Sequence, residues 1–292
     1  MAATSTTVTV DGRQLRLSNL DKPLYPDGFT KGEVIDYYRR VAPAMVPGLA
    51  GRPATFVRFP NGVGHGSFFE KNAAKGRPDW VRTVRLPAPG SSKDREEIDY
   101  AVVDDLPTLV WAANLAALEI HVPQWQVGPR GGVHDPDLVV VDLDPGSPAT
   151  IVECCRVALL VRDRLGESAV AKTSGSKGLQ LYARWDGGDS REAMHDLARE
   201  LEREHEDLVV SRMAKALRPG KVLFDWSQNN VAKTTVAAYS LRGRDRPTVS
   251  TPLTWDEVEA CTDPAGLAFT ADDVLDRLET HGDLFAPLRV RR

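Results

Sequence analysis

The chain has 292 residues, 42% hydrophobic and 27% charged, which suits one large domain or two ordinary ones and excludes wholesale disorder and fibrous repeats. Its 37 basic and 41 acidic side chains leave a net charge of −4, a poor balance for a nucleic-acid binder until the distribution is read. Residues 13–58 carry eight Lys/Arg against four Asp/Glu, and residues 212–246 carry eight against two. Such segregation predicts a basic face on an otherwise acidic protein; a solvated mixed-charge surface is the alternative. No run approaches the roughly 18 uncharged apolar residues that span a bilayer. The opening MAATSTTVTV lacks the basic and apolar regions of a secretory leader. Cys154, Cys155 and Cys261 form no C-x-x-C, so neither a disulfide framework nor a thiolate zinc site is expected. A cytoplasmic protein that does not engage membrane follows.

In chain order, Asp11-Gly12 between TTVTV and RQLRL predicts a hairpin. A loop with two prolines leads to Thr30, which with Glu33 fits a capping box for a helix carrying Val34, Tyr37, Tyr38 and Val41 on one face. Pro43 and Pro47 are expected to end or kink that helix. Residues 54–59 read as a strand, and PNGVGHG as a loop before Phe68-Phe69. The polar stretch 87–97 reads as a mobile loop, and 106–118 as a buried helix leading into the strand EIHV. DLVVVDLD, the helix after PGSP and SAVAKT form a strand-helix-strand unit, with Ser147 expected to cap the helix before Pro148. GLQLYARW, a helix over 190–206, the strands KVLFDW and TTVAAYSLR, and an acidic helical segment over 251–283 complete a continuous α/β domain with two lobes.

The chemistry concentrates in VVVDLDPG. Asp142 and Asp144 are two apart on a predicted strand, so both leave the same face, roughly 6.5–7 Å apart along the chain. Two such carboxylates repel unless a cation lies between them, and a hard divalent ion, Mg²⁺ or Mn²⁺, suits oxygen ligands. Two solvated acids at a strand end are the alternative. Asp225 lies in the apolar KVLFDW, where burial is costly without a metal or a basic partner. Three carboxylates on neighbouring strands suit two ions roughly 3.5–4 Å apart, the arrangement of nucleotidyl transfer. Ser174-Gly-Ser-Lys177-Gly178 is not a Walker A sequence, but two glycines let backbone N–H groups turn inward around an anion, with Lys177 to complete a triphosphate cradle; an ordinary flexible turn is the alternative. His121 ends the strand LEIH, and Arg242 is one of three closely spaced arginines. Of the adjacent Phe68 and Phe69, a strand sends at most one to the core, leaving the other free to stack on a base.

Together, LSNLDKPLYP, GRPAT-x-x-RFPNG, FFEKN, LEIHVPQW, VVDLDPG, TSGSKGLQLY and KVLFDWSQNNVAKTTVAAYSLRGR resemble the archaeo-eukaryotic primase-type polymerase domain of bacterial ligase D and its stand-alone mycobacterial relatives. The likeness runs in family order from about Leu17 to Arg246. It implies an α/β (α+β) fold, central mixed β-sheets flanked by helices with two lobes around an active-site cleft, and a single catalytic domain over 1–292. Within it, a DNA 5′-phosphate-binding segment spans about 13–58 and a catalytic core about 100–246. The resemblance implies that Asp142, Asp144 and Asp225 bind two Mn²⁺ or Mg²⁺ ions and that His121, Ser174, Lys177 and Arg242 hold the triphosphate. It further implies that Phe68 and Phe69 stack on base and template and that Asn19, Lys22 and Lys31 grip a downstream 5′-phosphate. The activity it suggests is template-dependent gap filling or end extension in DNA repair, with ribonucleotides preferred. The partners it suggests are DNA with short gaps or 5′-phosphorylated ends, nucleoside triphosphates, and a DNA ligase or the Ku end-binding protein, at the nucleoid.

The sequence departs from the family pattern at Gln180, where many relatives carry His, at Val57, where some ligase-linked members carry Lys, and in the longer 87–97 loop. No nuclease or ligase module follows before Arg292, which leaves a stand-alone enzyme and an excised domain both open; the three departures favour the stand-alone type. A non-catalytic DNA-end-binding module and a D-x-D glycosyltransferase are the rival readings. Nucleotide incorporation separates the first, and the third Asp argues against the second.

Overall fold

The computed structural model describes residues 5–88 and 96–289. Strands β1 (Ser5–Val10) and β2 (Arg13–Ser18) pair antiparallel across Asp11 and Gly12, both at positive φ (46° and 77°) as a tight primed turn demands. Helix α1 (Lys31–Leu49) begins at the Thr30–Glu33 capping box. It runs through Pro43 and Pro47 instead of ending there. Tyr37, Tyr38, Val41, Met45 and Leu49 are all buried along it, and that packing outweighs the hydrogen bonds the prolines remove.

Strands β3 (Pro53–Arg58), β4 (Phe68–Glu70), β5 (Thr83–Pro87) and β6 (Glu97–Val102) follow. Most of the expected 87–97 loop, residues 89–95, lies outside the described residues. Helix α2 (Leu106–Asn114) stops short of the expected 118. Ala116 turns to φ 57° and strand β7 (Ala117–Val122) takes over, so Leu118 and Ile120 are buried as strand residues. Strand β8 (Leu138–Pro145) leads to α3 (Ile151–Leu165), whose cap is Thr150 with Glu153, not Ser147. Next come β9 (Val170–Thr173), β10 (Leu179–Arg184), α4 (Ser190–Glu204), β11 (Val209–Val210) and β12 (Val222–Asp225). Of TTVAAYSLR only β13 (Thr235–Val236) pairs as a strand. The expected acidic helical segment is two helices, α5 (Trp255–Glu259) and α6 (Ala271–His281), tied by Arg277 to Glu257.

Two larger sheets result. One has the order β13-β7-β3-β6-β5 with β4 also on β3; the other has the order β11-β12-β8-β10-β9. The second mixes antiparallel pairs with the parallel β11–β12 pair. Strand period assigns the faces of β8. Val139, Val141 and Leu143 pack with Cys154, Val157, Ala158, Met194 and Leu201 of α3 and α4. Leu138 and Val140 face the other way, into the core shared by α1, α2 and the first sheet. Asp142 and Asp144 continue that second face beyond the point where the core ends, so the fold delivers both to a cleft.

The turn between β9 and β10 is pressed against this strand. A Cβ on Gly178 would lie 2.3 Å from the Leu143 carbonyl oxygen, so any side chain forces β10 from β8. Gly178→Ala should cost on the order of 1–3 kcal/mol, measured as a lowered urea midpoint at unchanged m. Gly188→Ala, where nothing lies within 4 Å of a Cβ, should leave the midpoint unmoved.

Candidate active site

A cleft of about 490 Å³ brings together His121, Asp142, Asp144, Ser174, Lys177 and Arg242. They come from β7, β8, the β9–β10 turn and the segment after β13. Asp142 is half-buried, while Asp144 is exposed at the mouth. Burial first, then the neighbouring Asp144 charge, pushes the Asp142 carboxyl up to about 7, and burial followed by Asp225 raises Asp144 as well. Neither acid forms an ion pair among the described residues. Two desolvated, mutually repelling oxygen donors without a direct basic partner fit a hard divalent cation.

Asp225 stands directly opposite Asp142 on the neighbouring strand β12, so the three acids share one sheet. Its carboxylate is nevertheless engaged locally. Oδ1 accepts the Ser227 N–H at 3.0 Å and the Ser227 hydroxyl, and Oδ2 accepts the Gln228 amide at 2.9 Å. Among the described residues, no three His, Cys, Asp or Glu side chains stand together as a metal site. The backbones converge as predicted; the side chain of Asp225 is turned to cap its own loop.

The cradle differs from its expected form. Ser176 N–H (3.3 Å) and Gly178 N–H (3.1 Å) both point to Ser174 Oγ, and Gly175 N–H to Thr173 Oγ1 (3.3 Å). These hydroxyls occupy the amides that would form a backbone nest, leaving Lys177 and Arg242 as the principal cationic groups. The turn is not loose. Gly175 sits at φ 66°, where a Cβ would approach the Val249 carbonyl carbon to 2.7 Å, and Arg242 Nη1 donates to the Ser174 carbonyl at 2.5 Å. Tyr25 donates to the Arg242 carbonyl at 3.0 Å, and Leu241 N–H to the Tyr38 hydroxyl at 3.1 Å. Phenols from the N-terminal region thus fix the segment of the cleft wall that carries Arg242.

Phe68 and Phe69 both stand in solvent, 45% and 68% exposed, so neither serves the core. Phe69 meets the His121 ring edge-on, centroids 6.2 Å apart, at the rim of the cleft. Phe68 lies under the Arg58 guanidinium, 5.2 Å from its centroid. Near Arg58 stand Lys31 and Lys22. Burial, then the Lys22 and Arg58 charges, lowers the Lys31 ammonium to about 8, as expected where three cations gather. Lys31 Nζ donates to the Ser18 carbonyl (2.7 Å) and Lys22 Nζ to the Pro60 carbonyl (2.7 Å). Asn19, at φ 54°, turns the chain as it leaves β2, and its carbonyl accepts the Lys22 N–H at 3.1 Å. The first turn of α1 has no amides to spare for an anion. Lys31 N–H bonds the Lys22 carbonyl, Gly32 N–H the Leu20 carbonyl, and Glu33 N–H the Thr30 hydroxyl. Any anion selectivity here belongs to the side chains, not to the helix end.

Ser176, a second hydroxyl of the expected cradle, lines the cleft; the sequence reading missed Gln228 and Arg244, which also line it, and the fully buried Lys172. Its ammonium donates to Gln180 Oε1 (2.5 Å) and Ser250 Oγ (2.6 Å), and the Gln180 amide donates onward to Asp142 Oδ1 (2.9 Å). Burial, and then the Arg242 charge, holds Lys172 well below the usual lysine range.

The Asp142 shift has a stability consequence. Its folded pKa of about 7 exceeds the ordinary value near 3.9, so between these limits the folded state holds the extra proton and stability falls as pH rises. Without divalent cation, Asp142→Asn should therefore melt higher than the parent at about pH 8 and converge with it towards about pH 4. Mn²⁺ is further expected to raise the Tm of the parent and to leave that of the variant unmoved. Thermal unfolding with and without Mn²⁺ checks both.

Residues 30–285 match the family described as LigD, primase-polymerase domain. The chain is 44% identical over 284 residues to the multifunctional non-homologous end joining protein LigD of Mycolicibacterium smegmatis, covering 94% of this chain and 36% of that protein. It is 31% identical to the bifunctional LigD of Bacillus subtilis, covering 92% and 43%. The chain thus spans well under half the length of these relatives. Among solved structures it resembles the polymerase domain of Mycobacterium tuberculosis ligase D in complex with DNA, with a TM-score of 0.87, 41% identity, and 94% and 98% of the two chains covered. The chain belongs to the LigD primase-polymerase domain family and is a nucleotidyltransferase of the polymerase type.

Proposed function

We propose that the chain is a template-dependent DNA repair polymerase that fills short gaps or extends broken ends in non-homologous end joining, with ribonucleotides preferred. The observation that carries this reading is one cleft in which Asp142 and Asp144 face Lys177, Arg242, His121 and Ser174. Anionic and cationic groups meet there as a triphosphate and its counter-ions require. Two Mn²⁺ or Mg²⁺ ions held by Asp142, Asp144 and Asp225 would supply charge neutralisation and an activated 3′-hydroxyl. For Asp225 to join them, its carboxylate must release Ser227 and Gln228. Lys177 and Arg242 hold the phosphates, and Phe69 beside His121 offers the incoming base a stacking face, with Phe68 towards the template. Lys22 and Lys31, with Asn19, receive the downstream 5′-phosphate. The described chain works as one catalytic domain on gapped or 5′-phosphorylated DNA at the nucleoid, with a ligase or Ku as partner. Among the described residues, no helix is long and apolar enough to cross a membrane.

Asp142→Ala or Asp225→Ala should abolish nucleotide addition on a primed gap with Mn²⁺ while DNA binding survives, because the proposed DNA-gripping residues Asn19, Lys22 and Lys31 lie in a different segment. In the parent, ribonucleotides should be incorporated faster than deoxyribonucleotides. Undiminished turnover in either variant would remove the two-metal reading, and a parent protein that adds no nucleotide would leave DNA-end binding as the function. For the phosphate pocket, a gap with a 5′-phosphate should bind more tightly than its 5′-hydroxyl counterpart by about 1–3 kcal/mol at low salt. Lys22→Ala combined with Lys31→Ala should erase that difference and spare open primer-templates, which a fluorescence titration with both ligands reads directly.

A further inference from the structure

Glu119 lies behind the cleft and has no assigned part in it. It is two residues from His121 on β7, so both side chains share one face. The carboxylate is buried, with three cleft-wall groups around it. Oε2 lies 2.8 Å from His121 Nε2, while Oε1 accepts the Gly243 N–H at 3.0 Å and lies 3.1 Å from Arg242 Nε. We propose that Glu119 is the positioning residue of the triphosphate clamp, a single carboxylate that aims both His121 and Arg242 at the nucleotide. The inference rests on the reading of the cleft as a nucleoside-triphosphate site.

Three features carry it. With its Nε2 proton committed to Glu119, the His121 ring has Nδ1 as its remaining nitrogen, which donates to a phosphate when the imidazole takes a second proton; burial opposes that proton and the Glu119 carboxylate favours it. Arg242 is anchored by the hydrogen bond of Nη1 to the Ser174 carbonyl and by the charge contact of Nε with Glu119, a pair too misaligned to be a hydrogen bond, which leaves Nη2 as the remaining end of the fork. The Gly243 N–H reaches the carboxylate because residue 243 has no side chain: a Cβ there would lie 2.0 Å from the Phe59 ring. Electrostatics agree with the geometry. Burial opposes ionisation of Glu119, but the His121 hydrogen bond and the Arg242 charge outweigh it and bring the carboxyl down to about 2. Glu119 is therefore charged wherever the protein is folded and active. The same carboxylate balances the Arg242 charge before nucleotide arrives, so the guanidinium does not collapse onto Asp142 or Asp144.

The test is Glu119→Gln, which keeps the shape and removes the charge. Binding of a non-hydrolysable ATP analogue and steady-state kinetics on a primed gap are measured alongside duplex affinity and the unfolding midpoint. Expected is a nucleotide Kd and KM raised on the order of 10-fold or more, about 1.4 kcal/mol, with kcat, duplex affinity and midpoint close to the parent's. Glu119→Asp should recover part of the loss. An unchanged nucleotide Kd overturns the proposal. So does a variant in which nucleotide affinity, duplex affinity and midpoint fall together, since that marks a general structural role. If Glu119→Gln does not fold, Glu119→Asp decides: a raised KM at a retained midpoint supports the proposal and an unchanged KM overturns it. A parent protein that binds no analogue overturns the reading of the cleft, and this inference with it.

Discussion

Everything around the cleft answers to one electrostatic difficulty: Asp142 and Asp144 leave the same face of β8 and must share a partly dehydrated space. Like charges at that spacing raise each other's proton affinity, and among the described residues no arginine or lysine stands in direct contact to relieve them. It surrounds them at one remove instead. Lys177 and Arg242 stand across the cleft, and Lys172 stands behind Asp142, separated by the amide of Gln180. Cations kept at this distance temper the repulsion without neutralising either carboxylate, so both oxygens stay available to a divalent ion.

The Lys172–Gln180–Asp142 chain also fixes an orientation. An ammonium donates only, so the Gln180 carbonyl must face Lys172 and its NH₂ must face Asp142. Ser250 and the Tyr182 ring, 5.4 Å from the ammonium, close the remaining sides of that buried cation. The departure at Gln180 is thus accommodated: an amide has one accepting end and one donating end, and both are used here.

How much was legible follows from which signals are local. The faces of β8 follow from a period of two that every strand has, so Asp142 and Asp144 were placed correctly before any coordinates. The Thr30–Glu33 box was equally plain. Thr150–Glu153 carries the same signature, but Ser147-Pro148 offers a competing helix start three residues earlier. The run LPTLVWAANLAAL is apolar throughout, so periodicity could not show where α2 yields to β7; tertiary demand for Leu118 and Ile120 decided that. Lys172 in VAKT reads as a solvent-facing lysine, since only the partners brought in from Gln180 and Ser250 make its burial tolerable. Glu119 was within reach of sequence reasoning, two residues from His121 as Asp142 is from Asp144. The local engagement of Asp225 and the occupied amides at the start of α1 depend on loop geometry that no spacing encodes.

The two-faced packing of β8 bears on how the protein comes apart. Val139, Val141 and Leu143 belong to one core, and Leu138 and Val140 to the other. Neither core can melt alone without stripping one face of this central strand, so the two lobes should lose structure in one cooperative event. Local openings that release amide protons elsewhere would spare β8. Its amide protons should be among the last to exchange with solvent, and the floor of the cleft would keep its shape while the exposed strand bearing Phe68 and Phe69 moves.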